Sequence, residues 1–197
     1  HIQNEAGNSI ERPLLEEGLD MFIRYNEAVN IYHKISSFNE NTMNKMVSSQ
    51  KPFGFATTYR GSDEKTKENP ITIYGSTGIS YCSTSDVATN IQLINQPKVF
   101  IARAGSGSDK FPHNILGKPF IPVDISACTE TYVVINPLKS KLECENVKSY
   151  ITTKFFRFLV MLMKPTQDAL KGVYSLVPIQ DFTENWNDEK LYKKYNI

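Results

Sequence analysis

The sequence predicts an α+β domain: an irregular, twisted, mostly antiparallel sheet flanked by helices. Three observations carry that reading. Between Lys51 and Ile135 the chain breaks into short β-like runs separated by Gly, Pro, Ser and Asn. Residues 145–163 carry a single apolar stripe at helical spacing. Shorter helical patterns stand near both ends.

In chain order, HIQNEAGNSIER is polar and is expected to be a flexible segment over 1–12, ahead of a single domain over 13–197. LDMFIR (19–24) is a candidate strand. NEAVNIYHKI sets Ala28, Val29, Tyr32 and Ile35 at helical spacing with Asn26 as cap, and NTMNKMVSS predicts a second short helix. Strands are expected over 53–59, 71–76, 79–83, 98–104, 118–123 and 130–135, divided by turn signals at Arg60-Gly61-Ser62, Asn69-Pro70, Thr77-Gly78 and Asn136-Pro137. TETYVVI is rich in β-branched residues and reads as a central strand. In the long helix, Val147, Ile151, Phe155, Phe158, Leu159 and Leu162 make the apolar stripe, Lys154, Arg157 and Lys164 fall on a more polar flank, and Pro165 ends it. VYSLVP (173–178) reads as a returning strand, and NDEKLYKKYN (187–196) as a terminal helix capped by Asn187.

The bulk composition narrows function mainly by exclusion. Lys and Arg number 22 against 21 Asp and Glu, so any nucleic-acid surface must be a local patch. Cys82, Cys128 and Cys144 are scattered, with no CxxC pair and no signal peptide, which predicts reduced thiols in a cytoplasmic protein. The longest apolar stretch, Phe155 to Met163, is interrupted by Arg157 and too short for a bilayer. The chain begins with His1 rather than Met, as expected of a piece of a longer protein.

The glycine-rich run Gly105-Ser106-Gly107-Ser108 follows an apolar strand candidate, the usual setting of a phosphate loop. A dinucleotide fingerprint needs a third glycine and a helix start, and here Ser108-Asp109-Lys110 leads into Phe111-Pro112. A P-loop needs GxxxxGK followed by Ser or Thr, and Gly117-Lys118 is followed by Pro119, with Pro112 in place of the first glycine. Both nucleotide readings fail. His1, His33 and His113 have no partner at ligand spacing, which argues against zinc. There is no GxSxG elbow, and Cys128 has no neighbouring histidine. Asp63-Glu64-Lys65 would suit a magnesium-dependent nuclease only at the end of an apolar strand, and it lies in the polar run TYRGSDEKTKEN.

Binding remains. Between 87 and 128, Asp109 and Asp124 stand against Lys98, Arg103, Lys110 and Lys118, the asymmetry expected of a DNA-facing patch or of an ordinary solvated surface. The run from Tyr74-Gly75 through Gly78 to Tyr81 resembles one in target-recognition domains of restriction–modification specificity subunits. More closely, KPFGFATTYRG, PKVFIARAGSGSDKFPHNILGKPFIP, CTETYVVI, YITTKFFRFLVMLMKPTQDA, VYSLVPIQDF and WNDEKLYKKYNI resemble the C-terminal part of bacterial type II adenine-specific DNA methyltransferases, which end in a TaqI-like specificity domain. The resemblance covers most of residues 20–197.

The resemblance implies a target-recognition-domain-like fold and sequence-specific recognition of double-stranded DNA within a restriction–modification enzyme. The family's S-adenosylmethionine loop and Asn-Pro-Pro-Tyr/Phe motif are absent, since Asn136-Pro137 is followed by Leu138-Lys139. No catalytic residue is therefore carried over, and the cofactor and methyltransferase activity are expected in a separate catalytic domain, the other expected partner besides DNA. Lys51, Arg60, Arg103, Ser106, Ser108, Lys110 and Lys118 are the expected DNA-face residues. Arg103 and Arg60 are the candidates for guanine, because the guanidinium fork matches its paired acceptors; the lysines and serines would hold phosphates. The alternative is a scaffold module that docks a methyltransferase to a nuclease or helicase subunit.

Overall fold

The structure is a computed structural model that describes residues 2–3, 9–104 and 115–197. Its fold is α+β. Strands β1 (Ile2–Gln3) and β2 (Ser9–Ile10) pair as a two-residue antiparallel ladder ahead of helix α1 (Asn26–Ser36). Strands β3 (Ile71–Gly75) and β4 (Gly78–Cys82) form a tight hairpin. Gly78 turns it at a φ of +117°, a left-handed conformation that costs glycine least. Strand β5 (Val99–Ala102) pairs antiparallel with β7 (Tyr132–Ile135), and the three-residue β6 (Ser126–Cys128) runs parallel to β3. Helices α2 (Lys141–Thr152), α3 (Lys154–Met163) and α4 (Asp188–Tyr195) complete the chain.

The β5–β7 ladder is the wall between two cores. Successive strand residues point to opposite faces. Val99, Ile101, Val133 and Ile135 accordingly join the helices in one cluster. Phe100 and Val134 enter a second, with Phe53, Phe55, Ile71, Ile73 and Ala127. Both faces are therefore buried, which explains why VFIA and YVVI read as continuous rather than alternating apolar runs. Single bridges extend the ladder on both sides, Phe100 to Phe120 and Ile135 to Val47, so TETYVVI does lie inside the sheet.

Several expected elements form differently. Residues 19–24 carry no strand. Asn26 is the first helical residue of α1 rather than its cap; its Oδ1 accepts from Arg12 Nε at 2.9 Å. NTMNKMVSS shortens to a single 3₁₀ turn, Met43–Lys45. FGFATTY is a pair of turns, because Gly54 at φ +90° reverses the chain and packs so closely that a Cβ there would meet the Ala88 Cβ at 2.7 Å. In KPFIPV only Phe120 pairs, and VYSLVP contributes a 3₁₀ turn, Lys171–Tyr174, with Pro178 bridging Thr42.

The most informative difference is the break in the long helix at Thr153, whose backbone is extended (φ −65°, ψ 153°). Its hydroxyl accepts from Phe156 N at 3.1 Å and donates to Tyr150 O at 2.7 Å. Asp188, opening α4, accepts from Lys154 N at 3.0 Å and Phe155 N at 2.9 Å. The first three amides of α3, which have no intrahelical acceptor, are thus satisfied by side chains. The apolar pattern continues across the break, so Val147, Ile151, Phe155, Leu159 and Leu162 are all buried in the helical core. Among the described residues no helix is long and apolar enough to cross a membrane.

Thr153→Ala is expected to lower stability by about 1 kcal/mol in urea denaturation, the usual cost of losing an N-cap. Thr152→Ala is the control: its exposed hydroxyl only reaches back to Ser149 O, and the loss should stay within about 0.5 kcal/mol.

Candidate nucleic-acid interface

Strand β5 ends at Ala102, and Arg103 follows with its backbone pinned on both sides. Its amide donates to Thr131 O at 2.8 Å, and its carbonyl accepts from Ala169 N at 2.6 Å. The side chain is 24% exposed. Nη1 lies 3.8 Å from Glu130 Oε2 and Nε lies 3.7 Å from Asp168 Oδ1, both ion pairs beyond hydrogen-bond range. Lys51, at a φ of +54°, brings its exposed ammonium to 4.0 Å from the same Glu130 oxygen. Two of the expected DNA-face residues thus meet at one carboxylate.

The others are placed differently. Arg60 Nη1 donates to the carbonyls of Thr57 (2.9 Å) and Tyr59 (2.8 Å), closing its own loop beside the Thr57 that touches Glu130. Lys118 is exposed and follows Gly117, where a Cβ would meet the Ala102 Cβ at 2.9 Å. It therefore flanks the end of β5, but it faces a separate open groove of about 690 Å³ lined by Tyr74, Phe120, Lys98, Lys141 and Lys148. Ser106, Ser108 and Lys110 lie outside the described residues.

Glu130 is the residue sequence reasoning missed. Its Oε1 accepts from Thr57 N at 3.1 Å and Thr57 Oγ1 at 3.0 Å, and its Oε2 from Gln50 Nε2 at 3.0 Å. The Thr57 amide is the largest influence that lowers its pKa, helped by the Thr57 hydroxyl, Gln50 and Lys51 against a smaller burial penalty. Its hydrogen-bond partners stand 73 and 80 residues away in sequence, so no local spacing announces them.

Three cations expected on the surface work inside the fold instead. Lys98 is 2% exposed, and its ammonium donates to the carbonyls of Leu93, Ile94 and Gln96 at 3.0, 2.7 and 3.2 Å. Burial pushes its pKa down to about 8. Arg157 reaches Leu116 O at 3.3 Å, and Lys164 reaches Ile115 O at 2.7 Å. On the other side of the undescribed stretch 105–114, Ala104 bridges Asp168. Helix α3 and the segment after it therefore grip both approaches to the glycine-rich run.

Nucleophilic chemistry finds no support in the thiols. Cys82, Cys128 and Cys144 are buried and free, and burial raises the pKa of each, to about 11 for Cys82 and Cys144. Asp63-Glu64-Lys65 is exposed and carries no strand. Among the described residues no group of three His, Cys, Asp or Glu could hold a metal.

Lys98→Met should lower stability by about 1–3 kcal/mol, because it removes three hydrogen bonds and leaves Gln96 O without its donor, while Leu93 O and Ile94 O keep the amides of Gln96 and Ser126; chemical denaturation measures it. Glu130 has a folded-state pKa below its ordinary 4.5, so its stabilising contribution is complete above that value and is lost as pH falls through the lowered one. Glu130→Gln should therefore melt below wild type at neutral pH, with the gap closing under acid conditions. No family model matches the chain, and no curated protein matches it in sequence.

Proposed function

We propose that the chain recognises specific double-stranded DNA sequences as the target-recognition part of a type II restriction–modification enzyme of the adenine-specific methyltransferase class. The observation that carries this reading is the meeting of Lys51 and Arg103, from separate parts of the fold, at the end of the strand that leads into the glycine-rich run. Neither cation is hydrogen-bonded to Glu130, so each can exchange that partner for a phosphate or a base edge. Arg103 is the candidate for guanine, because its pinned backbone and two flanking carboxylates orient the fork before DNA arrives. Lys118, on the other flank of β5, is the candidate for a phosphate. The sequence resemblance supports the same reading and assigns S-adenosylmethionine chemistry to a separate catalytic domain. In this reading that domain and the DNA duplex are the partners.

A scaffold module is the second reading, favoured by Arg60's commitment to its own loop and by the separate groove that Lys118 faces. Salt dependence separates the two. For recognition, duplex affinity falls steeply with salt, by close to one power of the salt concentration for each neutralised phosphate. Lys118→Ala should make that slope shallower by about 1. Arg103→Ala should cost about tenfold or more at the target site, and Arg103→Lys should keep general binding while losing sequence discrimination. Fluorescence anisotropy reads each effect. Absence of binding at low ionic strength, with the chain alone and joined to its catalytic domain, overturns recognition.

A further inference from the structure

Glu130 presents its two oxygens to different kinds of partner. Oε1 takes the Thr57 amide and hydroxyl, at 3.1 and 3.0 Å. Oε2 takes Gln50 Nε2 at 3.0 Å and faces Arg103 Nη1 at 3.8 Å and Lys51 Nζ at 4.0 Å. Neutral donors fix the carboxylate, whereas the cations are only paired with it. A backbone amide, a hydroxyl, a side-chain amide, an ammonium and a guanidinium are also the donor types that hold a DNA phosphate. The carboxylate occupies a phosphate-type site made by the protein itself.

We propose that Glu130 is a specificity-determining residue: an internal stand-in for phosphate that withholds Lys51 and Arg103 from DNA of arbitrary sequence. This rests on the recognition reading above. With Asp168 at 3.7 Å on the other side of the guanidinium, two carboxylates offset these two cations. A phosphate approaching the patch meets almost no net charge, so it gains little there. A guanine edge offers Arg103 two acceptors in its own plane, and that bidentate geometry restores what an isolated phosphate cannot. General attraction is lowered more than base-dependent attraction, which widens the difference between right and wrong sequences.

The test uses a random-sequence duplex and a randomised duplex library with sequencing of the retained molecules. Glu130→Gln can keep the Thr57 hydrogen bonds through its amide oxygen, with Gln50 turning its own oxygen to the new NH₂, while the negative charge is lost. It should bind the random duplex about tenfold more tightly at low salt, with a steeper salt slope and weaker sequence enrichment. Glu184→Gln removes an equal charge from a pair with Lys190 rather than with Lys51 or Arg103, and should change random-duplex affinity less than about twofold. Lys51→Gln in the otherwise wild-type chain leaves Glu130 and Asp168 facing Arg103 alone and should weaken random-duplex binding severalfold; this arm does not depend on how Glu130→Gln folds.

The inference alone is overturned if wild type binds duplex and Glu130→Gln, with a cooperative melting transition, binds no more tightly. It is also overturned if Glu184→Gln matches Glu130→Gln, or if Lys51→Gln binds the random duplex as tightly as wild type. Failure of wild type and every variant to bind any duplex, alone or joined to the catalytic domain, instead removes the recognition reading and this inference with it.

Discussion

The structure depends on one ladder, β5 against β7, being buried on both faces. Val99, Ile101, Val133 and Ile135 serve the helical core, while Phe100 and Val134 serve the other. A slip of one residue in the Val99–Ile135 register would exchange those sets and put phenylalanine where valine packs. The same register sets Ala102 opposite Tyr132, so the strand exit at Arg103 and the strand entry at Glu130 stand at one edge. The candidate interface is the polar rim of an apolar wall, and its geometry follows from the packing behind it.

That rim also shows how the fold treats charge. Buried Lys98 and half-buried Arg157 and Lys164 are turned onto carbonyls. Such pairing costs desolvation, and each of the three has its pKa lowered chiefly by burial. At the rim, Lys51 and Arg103 are offset by carboxylates instead. A near-neutral chain thus need not present a uniform field: some of its positive groups hold carbonyls of the fold and others face carboxylates at its edge.

What could be read beforehand follows from how local each determinant is. Strands β3, β4, β5 and β7 stand out because β-branched and aromatic runs end at recognisable turns, and α4 because Asn187 accepts from Lys190 N three residues on. Strand β6 is only three residues long and owes its existence to a distant parallel partner, so Ser126–Cys128 carries no pattern of its own. The interruption at Thr153 hides because the apolar spacing persists across it, and the acceptor that makes it tolerable, Asp188, arrives from another helix. Arg103 was visible as a charge leaving a strand. Glu130 was not, since one acid entering a β-rich run looks like a solvent-facing residue until Gln50, Lys51 and Thr57 are folded around it. Lys98 is the intermediate case: its three acceptors lie within five residues, yet a lysine opening a strand ordinarily points to water.

The grip of Arg157 on Leu116, Lys164 on Ile115 and Asp168 on Ala104 has an evolutionary meaning. Both joints of the glycine-rich stretch are held by contacts to the main chain, which place no demand on the identity of the residues contacted. The carbonyls of Ile115 and Leu116 are there whatever side chains those positions carry, so as hydrogen bonds these two clamps survive substitutions that a side-chain partner would not.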